Sequence, residues 1–569
     1  VVATYAAVLL TCGASLALGQ AAIALCGVRS WSWLAPAVGL ALLCALCWGA
    51  VRLPGHGVVS AVLVLLLVLG SVVYLWSRLQ GGREALRAGA PVTLLALIAT
   101  AIPFLAEGHF GILGTSFNPD MSQHLLAAAR LAEGQPSQLL HQGYPLGPHS
   151  IVVALNNSLG TGLVQGFSGL MIAVAVLASL AVLTAFRDQP WPLRITAALV
   201  IGLTYMAASY YAQGSFKETM QALFLLAFVL ALRESSRPEW RELPLRFVPA
   251  ALLAVGSVYV YSFPGLIWLG GALAVWIALE RGLPLRPALL GLGVFVVLVA
   301  PEIGRMIDFH SFETFDPNGP GLGNLFGQIS PFEGLGIWPS GDFRLTPGAG
   351  AVPALGYYAG AAFATILLLY GLVLCWRRRE SALIAGLAAA ALAYAAARLG
   401  GTPYTAAKAI EVGAPLAALI IVLPLLRRPV AWLYLVAAAG CSLLALANAP
   451  VGPTSYSPAL TGLRDDIGKG PTLVLASKQL LADEHGTPYI AWELRGGRVC
   501  ISSAEEAHDR PPRGVRFVIS ESSHGGPPFV GLRRVRVAPT YMLWEVATPV
   551  KGRSPCPLIA VRQARQGSP

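Results

Sequence analysis

Apolar positions in this chain run on without interruption, unlike the alternation of a half-buried strand or the three-four spacing of a surface helix. Stretches of roughly 17 to 25 residues, long enough for a helix to cross a hydrocarbon core, lie near 3–26, 33–51, 57–77, 90–106, 164–186, 193–212, 217–233, 247–263, 264–280, 286–302, 354–376, 381–398, 406–426 and 430–449. The pattern therefore predicts an all-α polytopic membrane protein with about 14 spans over residues 1–450. The division at Pro264 and the pair of runs within 193–233 are its least sharply bounded parts. The first run lacks a basic leader and is followed at once by further spans, so it reads as a span and not as a cleaved signal. After Pro450 the pattern becomes that of a soluble module, 453–569, with strands at Thr472–Ala476, 515–520 and 541–547, a short helix at 477–485 and a polar tail from Arg562 to Pro569.

Charge orders these spans. In a chain that is 56% hydrophobic and 12% charged, the formal net charge of +11 does not call for nucleic acid, because short cytoplasmic loops concentrate Lys and Arg. Alternate loops hold Arg78, Arg83 and Arg87, then Arg187 and Arg194, then Arg233, Arg237, Arg241 and Arg246, then Arg281 and Arg286, then Arg377, Arg378 and Arg379, and finally Arg427 and Arg428. The intervening loops hold few basic residues, Arg130, Lys217, Arg305, Arg344, Arg398 and Lys408 among them. The expectation is a multi-pass protein of the plasma (inner) membrane with both termini outside. Two long outer segments, 107–163 and 303–353, and the C-terminal module would then share the extracytoplasmic side.

Cysteine changes the picture little. Cys12, Cys26, Cys44, Cys47, Cys375 and Cys441 lie in apolar stretches and read as small hydrophobes. Cys500 and Cys556 fall in the outer module, where a bridge and two free thiols both remain open.

The candidate chemistry gathers in the outer loops. In the first, Asn118 is placed as an N-cap with Pro119 at the first helical position, and Asp120, Gln123 and His124 then share one helix face. An acidic first turn can simply complement the helix dipole. Alternatively, Asp120 is a general base, with His124 and Gln123 orienting substrate. The loop continues through His141, Tyr144 and His149, a set that would also suit a divalent metal, although packing explains it equally simply. Lys217 opens a helix, where the dipole disfavours a cation, and a phosphate beside Ser215 would compensate; so would a carboxylate partner. Lys408 and Glu411 stand three apart at the start of a late span and could pair with each other. In the second long loop, Trp338 suits stacking on a sugar ring and Arg344 suits an anion.

With these residues in view, the sequence resembles the GT-C class of polytopic glycosyltransferases, and within it an actinobacterial-type branch. The resemblance rests on the many spans, the Asn118-Pro119-Asp120 element with His124 in an early outer loop, the second long outer loop and the C-terminal outer domain. It extends to Gly-Ser-x-Lys-Glu (Gly214 to Glu218), Gly-Asp-Phe-Arg (Gly341 to Arg344) and Ala-Ala-Lys (Ala406 to Lys408). The chain departs from the class in having Glu107 as the nearest second acid and in placing that loop after the fourth apolar run.

The resemblance implies an inverting transfer of a sugar from a polyprenyl-phosphate donor to a glycan or lipid acceptor. Asp120 and His124 would be the catalytic pair, and Lys217, Arg344 and Lys408 the phosphate ligands. Gln123, Tyr144, His149, Glu218, Trp338 and Asp342 would contact substrate. No cofactor is called for beyond the metal alternative above. The rival readings are an oligosaccharide polymerase or ligase and a lipid or polysaccharide flippase, which should show charges near mid-helix and two similar halves.

Overall fold

The computed structural model describes residues 1–114, 120–311, 321–350, 352–452, 460, 462–477, 481, 486–494, 497–504, 511–521, 525–538 and 541–548. Residues up to Ala447 form a helical bundle, and the described remainder forms a small α/β module. The bundle is that of a multi-pass membrane protein. Among the described residues ten helices are long and apolar enough to cross a bilayer, eleven if Trp191–Gly202 and Tyr205–Ala212, bent by 51°, form one span.

That test of length and composition does not reproduce the expected fourteen, and the differences have physical causes. Ala35–Val51 is apolar but only 17 residues long. Phe216–Ser235 carries Lys217, Glu218, Arg233 and Glu234 within its 20 residues. The runs at 247–263 and 264–280 become one 33-residue element, Val248–Glu280. As a straight helix that element would be about 50 Å long. Instead it folds back on itself, because the rings of Phe247 and Trp276 lie 5.9 Å apart, where a straight helix would separate them by roughly 43 Å. The reversal sits at Ser262, held at φ 60° and ψ −157°, just before Pro264. The chain thus enters and leaves by the same end of the bundle.

Ion pairs sort the helix ends without reference to a membrane. Arg187 and Arg237 both pair with Glu234, Arg233 pairs with Glu380, and Ser381 donates to Glu280. These contacts bring most of the arginine-rich loops to one end. The candidate chemistry lies at the other. Leu163–Val182 and Pro403–Leu425 are buried almost throughout and form the centre, whereas His56–Trp76 lies at the rim with most of its apolar residues exposed.

The module's sheet has the strands β1 (Pro471–Ala476), β2 (Arg498–Ser503), β3 (Phe517–Glu521), β4 (Leu532–Val537) and β5 (Tyr541–Val546) in the order β2-β1-β3-β5-β4. The strands β1, β2 and β3 are parallel, and β5 runs antiparallel to both β3 and β4. The expected strands at 472–476, 515–520 and 541–547 correspond to β1, β3 and β5, while β2 and β4 were not anticipated. The helix expected at 477–485 falls mostly outside the described residues; the helix that is described spans Gly486–Glu493.

The module grips the site end of the bundle. Helix Gly486–Glu493 packs on helix Met121–Ala132, with Ile490 and Trp492 buried. Leu113 and Val451 form a bridge in which Gly114 N donates to Pro450 O (2.9 Å) and Gly452 N donates to Ile112 O (2.7 Å). Cys500 is disulfide-bonded, Cys556 lies outside the described residues, and the six cysteines of the apolar stretches are free thiols.

Candidate active site

Two close approaches of backbone bring the first outer loop against its neighbours. Gly114 sits at φ +77°, and a Cβ there would stand 2.1 Å from the Gln213 carbonyl, so only glycine lets the chain at this point lie on the turn before Lys217. Gly143, at φ +66°, would likewise place a Cβ 2.3 Å from Arg305 O. The adjoining Tyr144 is held by the same seam, because Arg305 Nη1 donates to Gly143 O (2.9 Å). Arg305 is fixed in turn by Glu302, which also accepts from the Trp48 indole at 2.7 Å.

Asp120 precedes helix Met121–Ala132 as its cap residue, yet its side chain makes no capping bond. The Asn118 and Pro119 calls lie outside the described residues. Asp120 is half-buried and stands within electrostatic reach of Tyr144, Lys217 and Tyr404. Gln123 is half-buried one turn along. His124 points into an aromatic cluster with Tyr144, His149 and Phe216, at ring centroid distances of 5.8, 5.1 and 5.0 Å.

His124 Nδ1 and His149 Nε2 share a hydrogen bond of 3.1 Å. Burial, with His124 and Lys217 close by, holds His149 well below the ordinary histidine range, so that ring is neutral. His149, expected to touch substrate, is fully buried and bonded to His124. Among the described residues no three His, Cys, Asp or Glu side chains converge.

The two lysines meet in an aromatic box. Lys217 Nζ lies 3.9 Å from the centroid of Tyr144 and 5.8 Å from that of Tyr261, and Lys408 Nζ lies 4.2 Å from that of Tyr404. Lys408 pairs with Glu218 at 3.0 Å and not with Glu411, which corrects the pairing expected from their spacing. Lys217 has no carboxylate at ion-pair distance among the described residues, and ring faces help offset its misfit with the helix dipole, with Glu218 and Asp120 farther off. Glu411 is fully buried with neither carboxylate oxygen hydrogen-bonded.

A second group borders this box. Asp342 clasps Arg344, with Nη2–Oδ2 2.8 Å and Nε–Oδ1 2.9 Å, and the guanidinium lies 4.6 Å over Phe326. Arg344 Nη1 donates to Asn324 O at 3.4 Å, and the Asn324 amide donates to Gln213 at 2.6 Å, linking this loop to the turn before Lys217. Trp338 does not belong to the site. Its indole is fully buried against Tyr357, 5.1 Å between centroids, and has no face for a sugar.

The structure thus gathers Asp120, His124, Tyr144, Lys217, Glu218 and Lys408, with His149 beneath and Asp342 and Arg344 alongside. Sequence reasoning missed Tyr261, Asn324 and Gln213. It also missed a simple signal: Lys217 and Lys408 are the only lysines in the first 450 residues. Every other fixed cation of the bundle is arginine, and both exceptions stand in one site.

No family model matches the chain, and no curated protein matches it. Among solved structures, it superposes on the arabinofuranosyltransferase AftD from Mycobacteria with a TM-score of 0.52 and 15% identity, covering 81% of this chain and 40% of that one. The chain therefore spans about two fifths of that relative's length. ArnT from Cupriavidus metallidurans in the apo state aligns with a TM-score of 0.48 and 13% identity, over 81% of this chain and 99% of that one. At such identities the likeness establishes a fold.

Proposed function

From a chain with the GT-C fold, we propose a membrane glycosyltransferase that moves a sugar from a polyprenyl-phosphate donor to a cell-envelope glycan or lipid acceptor. One observation carries the reading: a carboxylate and two ammonium groups share an aromatic-walled site at the end remote from the arginine-rich loops, and one of the ammoniums lacks a carboxylate at ion-pair distance among the described residues. On the positive-inside rule the arginine-rich end is cytoplasmic. The site then faces the extracytoplasmic side of the plasma membrane.

In this mechanism the Asp120 carboxylate takes the proton of the acceptor hydroxyl as its oxygen attacks the anomeric carbon. The bond from that carbon to the phosphate oxygen breaks, and the lipid phosphate leaves with the electron pair. Lys217 and Lys408 meet the charge that develops on it, and Arg344, aimed by Asp342, adds a third cation at the rim. Because Asp120 removes a proton and forms no bond to carbon, the anomeric centre inverts. The buried His124–His149 pair holds the first turn of the Asp120 helix in place, so both histidines position the base without touching substrate.

The test is transfer of labelled sugar from a panel of polyprenyl-phosphate donors in membranes that contain the chain or its Asp120→Asn variant. The variant should reach wild-type levels in the membrane and lose roughly 10²–10⁴-fold in rate. Retained transfer removes Asp120 from the mechanism. Movement of a lipid-linked saccharide across the bilayer with no new glycosidic bond would mark a flippase instead.

A further inference from the structure

At the arginine-rich end, away from the site just described, helices Gly82–Ala106 and Trp191–Gly202 border a pocket of about 410 Å³ lined by Glu84, Arg87, Ala88, Trp191, Arg194 and Ile195. That volume lies in the range of ordinary ligand sites. Two guanidinium groups face one carboxylate, so the pocket favours an anion. Arg194 is satisfied on one side only. Its Nη1 donates to Arg187 O at 3.2 Å, while its buried Nε has no hydrogen-bond partner.

Trp191 stands 69% exposed at the first helical position, where an apolar ring is costly in water but stable at a bilayer interface. Trp191 and Arg194 occupy the first turn of a 12-residue helix, and Ile195 begins the second. Cavity, paired guanidinium groups, unpartnered Nε and exposed interfacial ring converge on one kind of ligand.

We infer that this pocket binds the headgroup phosphate of an anionic phospholipid from the leaflet at the arginine-rich end. A guanidinium fork matches two phosphate oxygens, which suits Arg87 and Arg194 better than a carboxylate-free lysine pair would. Basic pockets between membrane helices on this side are a recurrent way of holding anionic headgroups. The exposed indole lies at headgroup depth, and the acyl chains continue along the apolar outer residues Leu86 and Leu94 of helix Gly82–Ala106, which are 71% and 59% exposed.

The experiment is native mass spectrometry of the full chain released from detergent after incubation with phosphatidylglycerol, with phosphatidylcholine of the same acyl chains, or with inorganic phosphate. Wild type should retain phosphatidylglycerol preferentially, and Arg87→Gln with Arg194→Gln should weaken that retention roughly tenfold or more while leaving phosphatidylcholine unchanged. Equal retention of the two lipids, or unaltered phosphatidylglycerol binding in the double variant, overturns the assignment. Displacement of the lipid by millimolar inorganic phosphate overturns it in favour of a free anion. Should the double variant fail to fold, brominated phosphatidylglycerol added to wild type and to Trp191→Phe decides the matter. Quenching that is lost with Trp191 supports the site, and quenching that is equal in the two proteins overturns it.

Discussion

The two ends of the bundle use charge in opposite ways. At the arginine-rich end, buried or half-buried carboxylates are matched: Glu234 meets Arg187 and Arg237, and Glu380 receives two bonds of 2.6 Å from Arg233. At the other end Lys217 rests on ring faces and Glu411 has no hydrogen bond, although Lys408 pairs with Glu218 and Arg344 with Asp342. An ionic group inside protein is stable when its partner is built in. Charges that complete one another lock helix ends together, and charges left incomplete leave room for a ligand to complete them. The lysines follow the same division, since both lysines of the bundle stand at the open end.

Lys217 gives the sharpest way to break this contrast. If its charge awaits a substrate phosphate, Lys217→Met should lower kcat/KM for sugar transfer by roughly 10²–10³-fold, the usual cost of losing one preorganised group at a developing anion. Thermal stability in detergent should stay level or rise, because a half-buried cation without a carboxylate at ion-pair distance has been removed. A loss of stability with activity retained would make Lys217 a structural residue and erase the difference between the ends. Lys408 should respond differently. Lys408→Met leaves Glu218 buried and uncompensated and should cost about 3–5 kcal/mol of stability. Adding Glu218→Gln should recover most of that loss without restoring transfer. If Lys408→Met is as stable as wild type and donor KM is unchanged, the pair has neither role.

Much of this architecture was legible in the chain, because twenty-residue apolar runs and arginine-rich turns are local signals that no tertiary context overrides. Asp120, His124, Lys217 and Lys408 stood out for the same reason, as polar groups interrupting apolar stretches. What was illegible is long-range. Glu218 meets Lys408 across two helices, so no spacing rule could prefer it to Glu411, which is three residues from Lys408 and yet makes no bond with it. Trp338 lies in a loop rich in Gly and Pro and reads as exposed, but Tyr357 covers it from a helix that begins sixteen residues later, at Ala354. The strand β4, Leu-Arg-Arg-Val-Arg-Val, escaped notice because three arginines at a sheet edge imitate a solvated loop; Arg533 and Arg536 in fact meet Glu545 and Asp466.

The matched end supplies the mildest test, and it bears on the same contrast from the other side. Arg233 and Glu380 are mostly buried, their side chains 15% and 21% exposed, and the guanidinium reaches both carboxylate oxygens. Arg233→Gln keeps a donor but removes the charge and the second bond. Stability should fall by about 1.5–3 kcal/mol, the scale of a hydrogen bond to an ionised group. The other bonds of that end, from Arg187 and Arg237 to Glu234, remain. Because Arg233 stands sixteen residues from Lys217 along the same helix, Phe216–Ser235, kcat/KM measured well below the unfolding temperature should hold at the wild-type value. A fall in kcat/KM with stability intact would mean that the ion pairs also set the geometry of the site, and that the two ends act as one unit.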